Sequence, residues 1–173
     1  KTSYPIFGRI SLRGLSDYGK LLEDRSDALA RRTKWISRLE EGIDMDTVKR
    51  VLIADASEEF RRLLCDAVSA EPDLELVGET GDGNEALRLI REELPDLVVM
   101  DLILSGMDGL EVLRALHGLE FRPQVLVLSS FVRSSVADLA ASEGADYYLM
   151  KPCRIPAVLE RLRQMAHLRT MDD

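Results

Sequence analysis

The feature that most constrains the fold is a short apolar run followed by an amphipathic helical segment, a unit that repeats five times between residues 49 and 168. These mainly apolar runs predict strands at 51–54, 74–77, 97–100, 124–128 and 146–150. Short strands that alternate with helices form a parallel sheet with helices on both faces, and right-handed crossovers restrict its topology. We therefore predict a flavodoxin-like (βα)5 α/β sandwich of three layers. Its strand order would be 2-1-3-4-5, with a crevice between strands one and three.

Capping residues mark where several of these helices should begin. Ser57 is placed to cap the first helix, since a serine oxygen accepts a hydrogen bond from a free backbone N–H. Asp82 with Glu85, and Asp108 with Glu111, have the spacing of capping boxes, in which the later acid also binds the N–H of the capping residue.

Residues 1–44 precede the first strand and follow a different pattern. From about residue 15, apolar residues fall at helical spacing, which predicts an N-terminal helical extension. The stripe consists of Leu15, Tyr18, Leu22, Leu29, Ile36, Leu39 and Ile43. It would either pair in a homodimer or pack on its own domain, and Arg25 and Arg32 within it weaken the case for a coiled coil.

We expect the domain itself at 45–168. We read 169–173 as either a true end or the start of a linker to an effector domain outside this chain.

Charge is unevenly distributed, and this bears on the class of partner. The chain carries a net charge of −8, with +2 in residues 1–44 and −10 in residues 45–173. An acidic domain argues against direct nucleic-acid binding. We also predict no membrane segment and no signal peptide, and we expect Cys65 and Cys153 to be free thiols in a reducing cytoplasm.

Four polar side chains stand at the ends of four predicted strands: Asp55, Asp101, Ser129 and Lys151. Any one of them alone is more often a turn, cap or solvated residue. Together they would meet at the carboxyl edge of the sheet, where ligands of such folds bind. Two facing carboxylates need a cation between them, and oxygen ligands select Mg²⁺, while the hydroxyl and the ammonium could hold phosphoryl oxygens. The pattern indicates transfer of a phosphoryl group onto a carboxylate.

With these residues, 49–168 resembles the receiver domain of response regulators in two-component signalling. The resemblance is carried by the strand ending at Asp55, by Asp101 with the following Met-Asp-Gly at 107–109, by Ser129, and by Lys151-Pro152. It implies that Asp101 is the phosphoacceptor, which receives its phosphoryl group from a histidine kinase or a phosphotransfer protein. Residues 128–131 are also loosely similar to the receiver half of the master regulator of sporulation.

The same resemblance implies roles for the neighbouring residues. Asp55 and the backbone carbonyl of Ile103 would ligate Mg²⁺ together with the phosphoacceptor. Ser129 and Tyr148 would form the switch that responds to phosphorylation. Lys151 would contact the phosphoryl group, and the Lys151-Pro152 peptide bond would be cis.

The chain departs from the family pattern at three positions. Ala56 stands where a second acid usually ligates the metal, so we expect weak Mg²⁺ binding. Ser105 and Cys153 replace a common proline and a common phenylalanine. Glu58 or Glu59 could reach back to the metal, although acids in a first helical turn more often only stabilise the helix dipole.

Two functions therefore compete: a phosphorylatable receiver with a weak metal site, and a pseudo-receiver that acts as a phosphorylation-independent protein-interaction module. A flavin- or nucleotide-binding domain is disfavoured, because the turn at 55–58 has no glycine and adds negative charge. An enzyme with an external substrate is not expected, since neither His117 nor His167 follows a predicted strand.

Overall fold

Residues 48–119, 121–131 and 134–168 are described by the structure, a computed structural model. The chain divides into two compact units, Lys1–Val48 and Lys49–Asp173. The predicted helix between residues 15 and 43, the domain boundary at residue 45 and the tail at 169–173 lie outside the described residues.

Strands and helices alternate in the second unit, as the sequence predicts. The elements are β1 (Lys49–Ala54), α1 (Glu58–Ala70), β2 (Leu74–Thr80), α2 (Gly83–Glu93), β3 (Leu97–Asp101), α3 (Gly109–Leu116), β4 (Gln124–Ser129), α4 (Ser134–Ser142), β5 (Tyr147–Met150) and α5 (Ile155–Leu168). None of the helices within the described ranges combines the length and apolarity needed to cross a bilayer.

All five strands are parallel and follow the order β2-β1-β3-β4-β5, which confirms the predicted topology. Strands β1 and β3 are neighbours, with Ala54 opposite Met100. Strand β4 lies on the other side of β3, with Leu128 opposite Asp101. This register brings the ends of β1, β3 and β4 together at one edge of the sheet.

The sheet separates two apolar clusters, because successive side chains of a strand point to opposite faces. One cluster contains Leu52 and Val98 with residues of α2 and α3, and the other contains Ile53 and Val99 with residues of α1 and α5. Both faces of the central strands are therefore covered, which explains why these strands read as continuous apolar runs.

The capping predictions are confirmed at α3 and partly wrong at α2. Asp108 and Glu111 form the reciprocal capping box. Asp82 caps α2 by accepting from the Glu85 N–H, but the Glu85 side chain pairs with Arg88 at 2.6 Å instead of returning to Asp82. The reason is competition: the Asp82 N–H already donates to Thr80 Oγ1 at 3.1 Å, and a guanidinium one turn along the helix is a strong partner for a carboxylate.

Helix α3 begins directly against the end of β3, and this close approach requires a glycine. The Gly109 N–H donates to the Leu102 carbonyl at 2.9 Å. A Cβ atom at Gly109 would lie 2.5 Å from the Asp101 carbonyl oxygen and 2.7 Å from the Leu102 Cα. A side chain here would therefore push the helix away from the strand that carries Asp101.

We predict that Gly109→Ala lowers the free energy of unfolding by about 2 kcal/mol, because the backbone must move to accommodate the methyl group. Urea unfolding measures the change. Gly118→Ala is the matched control, since the nearest atom to a Cβ there is 4.0 Å away, and its effect should stay within about 0.5 kcal/mol. Equal effects of the two substitutions would show that the packing at Gly109 is not tight.

Candidate functional site

Three polar residues are buried at the carboxyl edge of the sheet. Asp55 follows β1, Asp101 ends β3 and Ser129 ends β4. Their exposed fractions are 2%, 6% and 0%, and within the described ranges they are the buried polar or charged residues. Because burial of a carboxylate costs free energy unless it is paired, their partners decide what this edge can do.

Each carboxylate is oriented by its own turn. Asp55 Oδ1 accepts from the Ser57 N–H at 2.9 Å, and Asp101 Oδ1 accepts from the Ile103 N–H at 3.0 Å. Aspartate favours this arrangement because its short side chain can bind the backbone two residues on. One oxygen of each carboxylate is thereby fixed, and the other oxygen of each is left for a partner outside the turn.

That partner is Lys151, which follows β5. Its Nζ lies 2.5 Å from Asp55 Oδ2 and 2.6 Å from Asp101 Oδ2. Burial lowers the pKa of Lys151, but the hydrogen bonds and charges of Asp101 and Asp55 prevail and raise it above its ordinary value of 10.5. The lysine is therefore charged at neutral pH and provides the cation that the two facing carboxylates require. The Lys151-Pro152 bond is cis, as the family resemblance implied.

The two predicted switch residues meet at the backbone of Phe131. Ser129 Oγ accepts from the Phe131 N–H at 3.3 Å, and the Tyr148 hydroxyl donates to the Phe131 carbonyl at 2.9 Å. Tyr148 is half-buried and packs against the cluster shared with α2 and α3. The segment after β4 thus links the two side chains through the backbone of one residue.

An open cleft of about 450 Å³ adjoins these groups. It is lined by Ala56, Ser57, Phe60, Asp101, Ile103, Ser130, Lys151, Pro152 and Cys153. Glu58 and Glu59 are exposed in the first turn of α1 and do not line the cleft, which favours their role at the helix dipole. Ala56 is exposed and contributes only a methyl group.

The oxygen atoms beside the cleft are of the type that binds a hard cation, but they are few. Mg²⁺ commonly takes one or two carboxylates, with water and phosphate oxygens completing its shell. Asp55 and Asp101 provide two carboxylates, and Ile103 lines the cleft together with Asp101. In the described part of the chain, no group of three or more His, Cys, Asp and Glu side chains is placed to hold a metal. The site therefore fits Mg²⁺ with one carboxylate fewer than the family pattern.

Two contacts at this site were missed by the sequence reasoning. The Lys151 Nζ lies 4.8 Å from the centre of the Phe60 ring, and Arg61 Nη1 donates to the Asp55 carbonyl at 2.5 Å. Arg61 also pairs with Glu79 at 2.7 Å. No spacing signal in the sequence identifies Phe60 or Arg61, because both contacts depend on how α1 packs against the sheet.

Ser105, the residue at the common proline position, ties two loops together. Its Oγ lies 3.0 Å from Asp82 Oδ2 and 3.1 Å from the Gly81 carbonyl oxygen. A hydrogen bond from the Glu85 N–H, and to a smaller extent one from the Ser105 hydroxyl, lowers the pKa of Asp82. Ser105 thereby connects the loop after Asp101 to the loop before α2.

Both cysteines are free, as predicted. Burial, followed by the charge of Glu79, raises the pKa of the Cys65 thiol to about 12. Burial also raises the pKa of Cys153. Each thiol is consequently protonated and weakly nucleophilic at neutral pH.

We predict that Lys151→Met lowers the free energy of unfolding by about 3 kcal/mol at pH 7, because two buried carboxylates lose their cation. Adding Asp55→Asn to the Lys151→Met variant should recover more than half of that loss. Arg163→Met, which breaks a more exposed pair with Glu71, is the control and should cost under about 1 kcal/mol.

The pH dependence provides a second check. Because the pKa of Lys151 is raised on folding, its contribution to stability is fully present below its ordinary value of 10.5 and is lost as the pH rises beyond that. The difference between the wild type and Lys151→Met should be constant through neutral pH and shrink above pH 10.5. A difference that vanishes already at neutral pH would contradict the ion pairing.

Comparison with known proteins identifies this arrangement. Residues 51–163 match the family described as the response regulator receiver domain. Over 114 residues, the chain is 35% identical to the transcriptional regulatory protein LiaR of Bacillus subtilis, covering 66% of this chain and 54% of LiaR. It therefore spans about half the length of that relative.

Solved structures lead to the same family. The signal receiver domain of NarL from Mycobacterium tuberculosis superposes with a TM-score of 0.66 at 30% identity, covering 69% of this chain and 97% of that one. A DNA-binding response regulator of the LuxR family from Staphylococcus aureus superposes with a TM-score of 0.65 at 25% identity, covering 69% and 99%. Residues 51–163 make this chain a member of the response regulator receiver domain family.

Proposed function

We propose that this receiver domain accepts a phosphoryl group on Asp101 from the phosphohistidine of a histidine kinase or a phosphotransfer protein. The observation that carries the proposal is the position of Asp101: a buried carboxylate at a strand end, paired with Lys151 at 2.6 Å and open to a cleft. An external phosphohistidine can approach a carboxylate that lines such a cleft.

In the proposed reaction, a carboxylate oxygen of Asp101 forms a bond to phosphorus while the phosphorus–nitrogen bond of the donor histidine breaks. The product is an acyl phosphate, and the electron pair of the broken bond returns to the imidazole. The Lys151 ammonium already lies at the carboxylate and can neutralise charge on the phosphoryl oxygens as they arrive. Mg²⁺ held by Asp55, Asp101 and the Ile103 carbonyl would supply further neutralisation.

Ser129 and Tyr148 are the proposed switch. If the Ser129 hydroxyl turns to the phosphoryl group, its bond with the Phe131 N–H is lost. The Phe131 carbonyl, which accepts from Tyr148, belongs to the same residue, so the tyrosine loses its fixed partner as the loop moves. The backbone of Phe131 therefore gives a route from the cleft to β5.

Partners follow from the same proposal. The donor is a histidine kinase or phosphotransfer protein, in the cytoplasm. The S. aureus structure is that of a DNA-binding regulator, and LiaR is about twice as long as the matched region, so we propose an effector domain outside this chain. A homodimer through residues 15–43 and a role in sporulation stay predictions. We propose that the segment 45–173, with its charge of −10, does not bind nucleic acid directly. We propose no catalysis on an external substrate, since neither His117 nor His167 follows a strand.

Two observations support a second function, that of a pseudo-receiver which signals by docking alone. Ala56 brings no oxygen to the cleft, and Lys151 already contacts both remaining carboxylates. A metal must then compete with an ammonium for Asp55. The two functions differ in a single measurable property, which is whether Asp101 can be modified.

The deciding experiment incubates the protein with acetyl phosphate and millimolar Mg²⁺ and measures the intact mass. We expect the addition of one phosphoryl group in the wild type and none in Asp101→Asn, because the amide is a poor nucleophile. Beryllofluoride binding, followed by NMR, is the second measurement. Absence of both modification and beryllofluoride binding would reject phosphorylation and leave the pseudo-receiver.

We predict that Ala56→Asp raises the Mg²⁺ affinity by at least about tenfold, since a third carboxylate adds charge and an oxygen ligand beside the cleft. Calorimetric titration with Mg²⁺ measures the change. Ala56→Asn is the matched control, because it has nearly the same shape without the charge, and it should have a much smaller effect. Equal affinities for the wild type and Ala56→Asp would mean that residue 56 does not face the metal.

A further inference from the structure

We propose that Phe60 is a positioning residue of the phosphoacceptor site, which holds the Lys151 ammonium midway between Asp55 and Asp101. The consequence for phosphoryl transfer rests on the proposed function, whereas the positioning itself does not. The inference comes from the way in which the lysine is surrounded on three sides.

The Lys151 ammonium has three N–H donors, and two of them are used by the carboxylates at 2.5 and 2.6 Å. The centre of the Phe60 ring lies 4.8 Å from Nζ, within the range at which a ring attracts a cation. The lysine side chain is only 15% exposed. The ring therefore occupies the side of the ammonium on which a water molecule could otherwise bind and displace it from the two carboxylates.

Phe60 is itself held by the turn that holds Asp55. Its N–H donates to the capping Ser57 Oγ at 3.4 Å, and the Ser57 N–H donates to Asp55 Oδ1 at 2.9 Å. One residue further along, Arg61 Nη1 binds the Asp55 carbonyl at 2.5 Å. The backbone of Phe60 and the Asp55 carboxylate thus belong to one hydrogen-bonded turn, which places the ring on the same side of the ammonium as Asp55.

Accurate placement matters more here because the site has only two carboxylates. Ala56 leaves no third acid to share the ammonium. If Nζ moves toward one carboxylate, the other loses its counter-charge in a buried position. A ring against the third side of the ammonium keeps it hydrogen-bonded to both carboxylates, and it leaves the nucleophile Asp101 in place.

The test compares Phe60→Leu, which keeps an apolar side chain but removes the ring, with Phe60→Tyr, which keeps the ring. Leu63→Ala is the control, because Leu63 is 55% exposed on the same helix. NMR provides two readouts that need no phosphorylation: the ring-current shift of the Lys151 Cε protons, and the carboxyl carbon shifts of Asp55 and Asp101. Beryllofluoride affinity is the third readout.

We expect an upfield shift of the Lys151 Cε protons in the wild type and in Phe60→Tyr, which is lost in Phe60→Leu together with a change at both carboxyl carbons. Beryllofluoride should bind about fivefold more weakly to Phe60→Leu and within about twofold of the wild type for the other two variants. If Phe60→Leu does not fold, Phe60→Met is measured in its place.

Two results would overturn the proposal: no upfield shift in the wild type, or unchanged carboxyl carbon shifts in a folded variant without the ring. A wild type that binds no beryllofluoride would defeat the proposed function instead. In that case the carboxyl carbon shifts still decide whether Phe60 positions Lys151.

Discussion

The ion triad of Lys151 with Asp55 and Asp101 is the interaction on which the rest of the site depends. Two carboxylates that are nearly inaccessible to water can lie at neighbouring strand ends only if a cation offsets their mutual repulsion. Lys151 does so from the end of β5, the edge strand, although β1 and β3 lie further inside the sheet. The triad thereby connects three strands at their carboxyl ends, and it occupies one oxygen of each carboxylate.

The loops around the triad are held by local contacts of several kinds. Each aspartate binds the backbone two residues on, and Ser105 ties the loop after β3 to Asp82. The backbone of Phe131 joins Ser129 to Tyr148. These contacts give surface loops a defined geometry on a rigid sheet, which is the arrangement that a binding or signalling site needs. The cleft has no side-chain oxygen at Ala56, and the first turn of α1 provides Phe60 and Arg61 beside the carboxylates and the lysine.

Much of the architecture could be predicted because its causes are local or periodic. The five apolar runs, the box of Asp108 with Glu111 and the strand-end positions of Asp101 and Ser129 all follow from patterns within about ten residues. The box predicted for Asp82 and Glu85 was wrong because of competition between local contacts: the N–H of Asp82 donates to Thr80 two residues before it, and Glu85 pairs with Arg88 three residues after it.

By itself, the sequence determined the alternation of strands and helices, the sheet order and the four chemical groups at the strand ends, because periodicity and chain connectivity are written along the chain. Only the tertiary structure decided that Lys151 contacts both carboxylates, that the Phe60 ring lies against the ammonium and that the Phe131 backbone binds both Ser129 and Tyr148. Lys151 lies 96 residues after Asp55 and 50 after Asp101, and Tyr148 lies 17 residues after Phe131. Their distances follow from how strands and helices pack, which no local pattern encodes.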